Sequence, residues 1–193
     1  MVRIILKEKR VEVPEEVTVA IAKKIVTVEG PRGELKRSFK KNAVQIIPIK
    51  TDERVSEIVV RIWFSKCKPR SSVTTIAKHI QNMIDGVTKG FKYTMKYGYN
   101  ILPMKPIAIE DGTVLQVTNY YGQKYIHKVP TQPGVKVAID EDHVKKRILV
   151  TGISKEAVGL TCSRINQTFK SRGVDKRKFK DGIYVELKGN DSS

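Results

Sequence analysis

The sequence predicts an α+β fold of two tandem similar domains, each an antiparallel β-sheet packed against one main helix. Three observations predict it. Short runs of period two, rich in valine and isoleucine, are separated by turns marked with glycine and proline. Two stretches of helical period stand out, one over about 72–89 and one opening at Ser154. The first half also realigns with the second at a shift of about 90 residues, the mark of an internal duplication. The division predicted is 1–98 and 99–193.

In the first copy, Val17, Val19 and Ile21 alternate and lead to KIVTV at 24–28, a strand. Glu29-Gly30-Pro31-Arg32-Gly33 is a hairpin turn, and a basic strand runs through Leu35 to Phe39. Val44, Ile46, Ile47 and Ile49 form the next strand and Glu57–Phe64 the one after, with Trp63 expected in the core. KCKPRSS at 66–72 reads as a basic loop in which Ser71 and Ser72 cap the helix that follows. That helix runs from about Ser72 to Lys89, with Val73, Ile76, Ile80, Met83, Ile84 and Val87 on one stripe and Gly90 as its stop. FKYTMKYGYNIL at 91–102 sets Phe91, Tyr93, Met95, Tyr97 and Tyr99 on one face, a buried sheet face rather than a row of base-stacking rings. Pro103 and Pro106 mark the boundary between copies.

The second copy repeats the order. Ile107 and Ile109 precede TVLQV at 113–117, the turn Asn119-Tyr120-Tyr121-Gly122 and a strand from Lys124 to Val129, with Gly122 in the place of Gly33. Val135, Val137 and Ile139 match the strand at 44–49, and Ile148–Ile153 matches Glu57–Phe64. Ser154 is a good N-cap, and Val158, Cys162, Ile165 and Phe169 share one helical stripe.

Charge narrows the function. The 193 residues hold 37 Lys and Arg against 20 Asp and Glu, net +17, with a pI near 9.9, above the level at which a nucleic-acid footprint is suspected. The second half has 16 basic and 10 acidic side chains, and its whole surplus sits between Arg164 and Lys180, where seven bases face the single acid Asp175. The centre of that pole is KSRGVDKRKFKDGIYV at 170–185. Cations so close repel one another unless a polyanion sits beside them. Arg164, Lys170, Arg172, Lys176, Arg177, Lys178 and Lys180 are therefore the expected phosphate-neutralising groups. Gly173 and Gly182 let the backbone approach, and Tyr184 completes the set. Phe179 either stacks on an exposed base or pins the loop to its domain. Lys66, Lys68 and Arg70 form a secondary contact for RNA or a neighbouring protein, whereas Lys145, Lys146 and Arg147 follow an acidic turn and read as a solvated turn.

Other classes are disfavoured. His79, His127 and His143 share no spacing with carboxylates that suggests a triad or a metal centre. The motifs GxSxG, HExxH, GxxxxGK[ST] and GxGxxG are missing, and no helix follows GPRG at 30–33 to make it a phosphate cradle. Catalysis, a metal and a cofactor are not expected. Cys67 and Cys162 have no CxxC partner, so a reducing compartment fits. No segment approaches about 18 uninterrupted apolar residues, so no membrane partner is expected.

VEGPRGELKRSF (28–39), HIQNMIDGVTKGFKYTM (79–95), YGQKYI (121–126) and FKDGIYV (179–185), in this duplicated layout, resemble the large-subunit ribosomal protein family numbered six in bacteria and nine in eukaryotes. The resemblance spans nearly the whole chain. It implies two similar domains of antiparallel sheet and helix, no enzymatic activity, and large-subunit ribosomal RNA as partner, held mainly by the second domain near where translation GTPases dock. It further implies neighbouring large-subunit proteins as partners, no obligate homo-oligomer, a cytoplasmic ribosomal location and nucleolar passage during assembly. Bacterial members tend to end in a Gly-Lys-Gly-Ile-Arg-Tyr pattern; Lys180-Asp181-Gly182-Ile183-Tyr184 stands here and points to the eukaryotic cytosolic type. The alternative is a non-ribosomal RNA-binding assembly or processing adaptor on the same plan, and a third class is a protein that mainly bridges other proteins.

Overall fold

The computed structural model describes residues 5–51, 54–100, 102–140, 146–170, 175 and 178–191. The chain divides into two compact units, Met1–Lys89 and Gly90–Ser193.

In the first unit, β1 (Leu6–Glu12), β6 (Arg54–Trp63) and β5 (Gln45–Thr51) form one antiparallel sheet in the order β1-β6-β5. A second sheet has the order β2-β3-β4, from Thr18–Ala22, Ile25–Gly30 and Gly33–Ser38. The helix α1 (Cys67–Thr88) packs against both sheets. Its buried stripe, Val73, Ile76, Ile80, Ile84 and Val87, follows the expected spacing, and the helix packs on β3 and β6, where Val26, Val28, Ile58 and Val60 are buried. Each such side chain contributes roughly 1.5–3 kcal/mol when fully buried. Gly90 ends the helix with φ 72°, a left-handed backbone that glycine adopts without strain.

The start of α1 differs from the expectation. The helix begins five residues earlier than Ser72, at Cys67, because Pro69 falls in the first turn, where no backbone N–H is needed. Ser71 and Ser72 are not caps: their hydroxyls donate to the carbonyls of Lys68 and Pro69 at 2.8 and 2.6 Å, inside the helix. Trp63 is not in the core either, being 44% exposed. Ile58, Val60 and Ile62 face the helix, so Trp63 shares the opposite face of β6 with Arg61, whose guanidinium lies 5.7 Å from its ring centroid.

In the second unit, β7 (Phe91–Gly98), β11 (Val135–Ile139), β12 (Arg147–Gly152) and β13 (Gly182–Asn190) form a sheet in the order β11-β12-β7-β13. A smaller sheet holds β8 (Lys105–Ile109), β9 (Val114–Thr118) and β10 (His127–Pro130) in the order β10-β9-β8. The helix α2 (Lys155–Thr168) covers the larger sheet. Ser154 caps it, its Oγ accepting from the Ala157 N–H at 3.4 Å, and Val158, Cys162, Ile165 and Phe169 are all buried. β10 is shorter than the strand expected from Lys124, since a 3-10 turn at Tyr120–Gly122 and a bend occupy the chain before it.

The predicted division at 98/99 lies after β7, whereas the units separate before it. Local alternation shows that one face of β7 is buried, and Phe91, Tyr93, Met95 and Tyr97 are indeed core residues. Its pairing, however, is with β12 and β13, Met95 standing opposite Ile148 on one side and Val185 on the other. Long-range partners assign the strand to the second unit. The duplication then matches β1 with β7 and β6 with β12, and leaves β13 as an addition.

Candidate nucleic-acid interface

The basic pole lies between the end of α2 and the start of β13, and buried anchors hold both ends. At the first, Phe169 is 1% exposed, and its carbonyl accepts from the buried Tyr120 hydroxyl at 2.9 Å. The rings of Tyr120 and Phe169 meet edge to face at 5.3 Å. Burial pushes the Tyr120 pKa up to about 12. At the second anchor Gly182 is buried with φ 148°, and a Cβ there would stand 3.0 Å from the Phe169 carbonyl oxygen. The room that glycine leaves is filled by the chain's own backbone. Gly182 is thus a packing residue at this joint.

Between the anchors, the Asp175 carbonyl accepts from the N–H groups of Lys178 and Phe179 at 3.2 and 2.9 Å, closing a turn that projects Lys178 and Lys180 into solvent. Lys170 is also exposed. The Asp181 carboxylate accepts from the Asn100 N–H at 2.6 Å, tying this turn to the segment after β7. The Tyr184 hydroxyl donates to the Asp181 carbonyl at 3.4 Å, and burial raises its pKa. Arg164 stands exposed on α2, with the Gln132 amide oxygen, turned toward it, accepting from Nη2 at 2.9 Å. Arg172, Gly173, Lys176 and Arg177 lie outside the described residues.

Phe179 is half-buried. It lines a cleft of about 210 Å³ with Tyr99, Leu102, Met104, Tyr121 and Asp181, so the described structure uses it as a wall of that cleft. The residues of this cleft come from three distant stretches of sequence. One signal was present: Tyr99 and Tyr121 each fall just beyond a strand.

The secondary cluster belongs to the first unit. Lys66 is the residue before α1, Lys68 is exposed in the first turn, and Arg70 Nη2 reaches Cys67 Sγ at 3.7 Å. No acidic residue stands in that turn, so three cations gather at the positive end of the helix dipole. Lys146 and Arg147 are engaged by neighbours: Lys146 Nζ lies 3.7 Å from the Tyr99 ring centroid, and Arg147 pairs with Glu186 at 2.9 Å. His79 packs near Phe39, and His127 shares its Nε2 with Gln123 at 3.0 Å. His143 lies outside the described residues.

Comparison with known proteins decides what carries this pole. The family described as Ribosomal protein L6 matches residues 13–90, the greater part of the first unit. A large ribosomal subunit protein uL6 from Tetrahymena thermophila is 34% identical over 186 residues, 96% of either chain. The chain belongs to the ribosomal protein L6 family. The uL6 protein of Aeropyrum pernix is 38% identical over 177 residues and 92% of both chains, and uL6A of Saccharomyces cerevisiae is 38% identical over 184 residues and 94% of both. The matches to these L6 relatives therefore run through both units, whereas the family match sits on the first. L6 proteins are structural proteins, and this chain is not an enzyme.

Proposed function

We propose that the chain is a structural constituent of the large ribosomal subunit, holding large-subunit rRNA through the basic pole of its second unit and supporting cytoplasmic translation. The observation that carries this reading is the mounting of the pole. Lys170, Lys178 and Lys180 are exposed, while Phe169 and Gly182 beneath them are buried and fixed. Charges held in place by a folded base release counterions from phosphates with little ordering cost, and they set the orientation of the protein on the RNA. The relatives' names supply the particle.

Arg172, Lys176 and Arg177 extend the same pole by sequence, and Arg164 and Tyr184 flank it. Lys66, Lys68 and Arg70 provide a second foothold for RNA or for a neighbouring large-subunit protein. The translation-GTPase docking region is the place on the subunit that the family resemblance suggests, and nucleolar passage accompanies assembly in a eukaryotic cell.

Sedimentation of lysate through sucrose at low and at high salt tests the reading. Co-migration with large subunits and polysomes at both salts is expected, and release from mature subunits at high salt overturns it in favour of an assembly adaptor. With purified chain, Lys178→Glu together with Lys180→Glu weakens rRNA binding and flattens the dependence of affinity on salt by about one unit of slope per lost phosphate contact. An unchanged slope would mean that the pole bridges proteins instead.

A further inference from the structure

We infer that the cleft walled by Tyr99, Leu102, Met104, Tyr121, Phe179 and Asp181 receives one unstacked guanine of the bound RNA; this rests on the rRNA-binding reading above. Size restricts the occupant first. At about 210 Å³ the cleft is smaller than the roughly 300–1,000 Å³ typical of drug-sized ligands, so it suits a single ring system and not a folded segment of protein.

The walls restrict it next. Tyr99, Tyr121 and Phe179 offer aromatic surface, and Leu102 and Met104 offer apolar surface, the lining on which splayed-out bases stack. Lys178 and Lys180 flank Phe179 in sequence and are both exposed, which brings phosphodiester charge to the mouth. The cleft itself contains Asp181, a carboxylate, so a phosphate is repelled from the interior. A neutral base on a charged backbone satisfies both demands.

The polar groups select the base. Asp181 Oδ1 already accepts one N–H, from Asn100, and an ionised carboxylate has sites for more donors and none to give. Among the bases guanine alone presents two adjacent N–H donors, N1–H and N2–H, on its Watson–Crick edge. Among the described residues the Tyr121 hydroxyl is buried without a hydrogen-bond partner, a state that is costly unless something arrives to pair with it. As a donor it suits guanine O6. The side chain is held there by a strained turn: Asn119 and Tyr121 have φ of 59° and 52°, left-handed backbone that tyrosine avoids. Two contacts fix that turn, Asn119 Nδ2 donating to the Pro103 carbonyl at 2.9 Å and the Tyr120 hydroxyl donating to Phe169.

The experiment uses full-length chain bound to large-subunit rRNA and a glyoxal reagent, which modifies unpaired guanine at N1 and N2. Wild-type chain is expected to protect one unpaired guanine that becomes reactive again with Phe179→Ala. Affinity then falls between about 5- and 150-fold, the range of base stacking on an aromatic ring, with the salt slope unchanged because no phosphate contact is lost. Leu102→Trp, at a residue 46% exposed, fills the cleft from its rim without opening the core. It should deprotect the same guanine, and it decides the matter where Phe179→Ala unsettles the loop. If neither variant changes any guanine while the double lysine reversal lowers affinity and slope, the cleft inference falls and the rRNA reading stands. If wild-type chain binds no rRNA, both fall.

Discussion

The two units share a strand order, β1-β6-β5 in the first and β7-β12-β11 in the second, yet only the second sets a further strand beside its opening one. Among the described residues no strand pairs with the free edge of β1, whereas β13 covers that edge of β7 over eight register positions, from Gly182 opposite Gly98 to Asn190 opposite Phe91. A strand added there has to be reached from the end of α2, and the connection is the basic pole. The duplicated part is scaffold; the part that breaks the duplication carries the charge surplus of the second half. Aromatic content divides the same way, since all seven tyrosines lie in the second unit and the single tryptophan in the first. Trp63 fluorescence and tyrosine absorbance therefore report the two units separately within one chain.

The largest effect that sharpens the contrast is expected from Phe169→Ala. It opens a cavity under the pole and costs about 3–5 kcal/mol, read in urea as early loss of the tyrosine signal while Trp63 holds. Concerted loss of both signals would show that the units do not unfold separately. Next comes Gly182→Ala. A Cβ at φ 148° and 3.0 Å from a carbonyl oxygen costs roughly 2–3 kcal/mol, while Gly98→Ala directly opposite, where the nearest atom is 3.6 Å away, costs under about 1 kcal/mol. Equal costs at the two glycines would remove the special standing of the joint.

High pH separates the units by chemistry. Burial raises the pKa of Tyr120 from 10.0 to about 12 and pushes the Cys162 thiol from 9.0 up to about 11, so the folded second unit favours the protonated forms. A pKa raised on folding contributes stability that is full below the unfolded value and is lost as pH climbs through the folded one. The second unit should therefore weaken from about pH 9 for Cys162 and from about pH 10 for Tyr120, with the loss complete by about pH 12. The first unit contains no tyrosine, and its Cys67 is exposed. Tyr120→Phe should flatten the upper part of this fall, and Cys162→Ala the lower part, in a urea series at rising pH.

What the sequence disclosed and what it withheld follow one physical division. Local periodicity is written in consecutive residues, so the stripes of both helices, the buried face of 91–98 and the Ser154 cap were legible. Partner choice is not local. Nothing in FKYTMKYG says that Met95 will stand opposite Ile148 and Val185, so local alternation does not decide which unit the strand joins. The outward position of Trp63 is legible by alternation, since counting by twos from Ile58 puts it with Arg61 on the outer face. The lysines of the pole were plain from composition. The cleft beside them was not, because Tyr99, Tyr121 and Asp181 meet only after folding.

The smallest effects lie at the two helix starts, where they differ in sign. Ser154→Ala removes the hydroxyl that receives the Ala157 N–H and should cost about 1 kcal/mol. Ser71→Ala removes a hydroxyl that only shares the Lys68 carbonyl within the helix; alanine is the better helix former, so stability should stay level or rise by a few tenths of a kcal/mol. Lys68→Glu goes further, placing an anion at the positive end of a helix that has no acid there, and should add about 0.3–1 kcal/mol by Trp63-monitored urea unfolding. A start that one charge reversal improves is not arranged for stability. If Lys68→Glu stabilises the chain and at the same time lowers its recovery in high-salt large subunits, Lys66, Lys68 and Arg70 are held at the helix end by a bound partner. If recovery is untouched, the second unit alone carries the attachment.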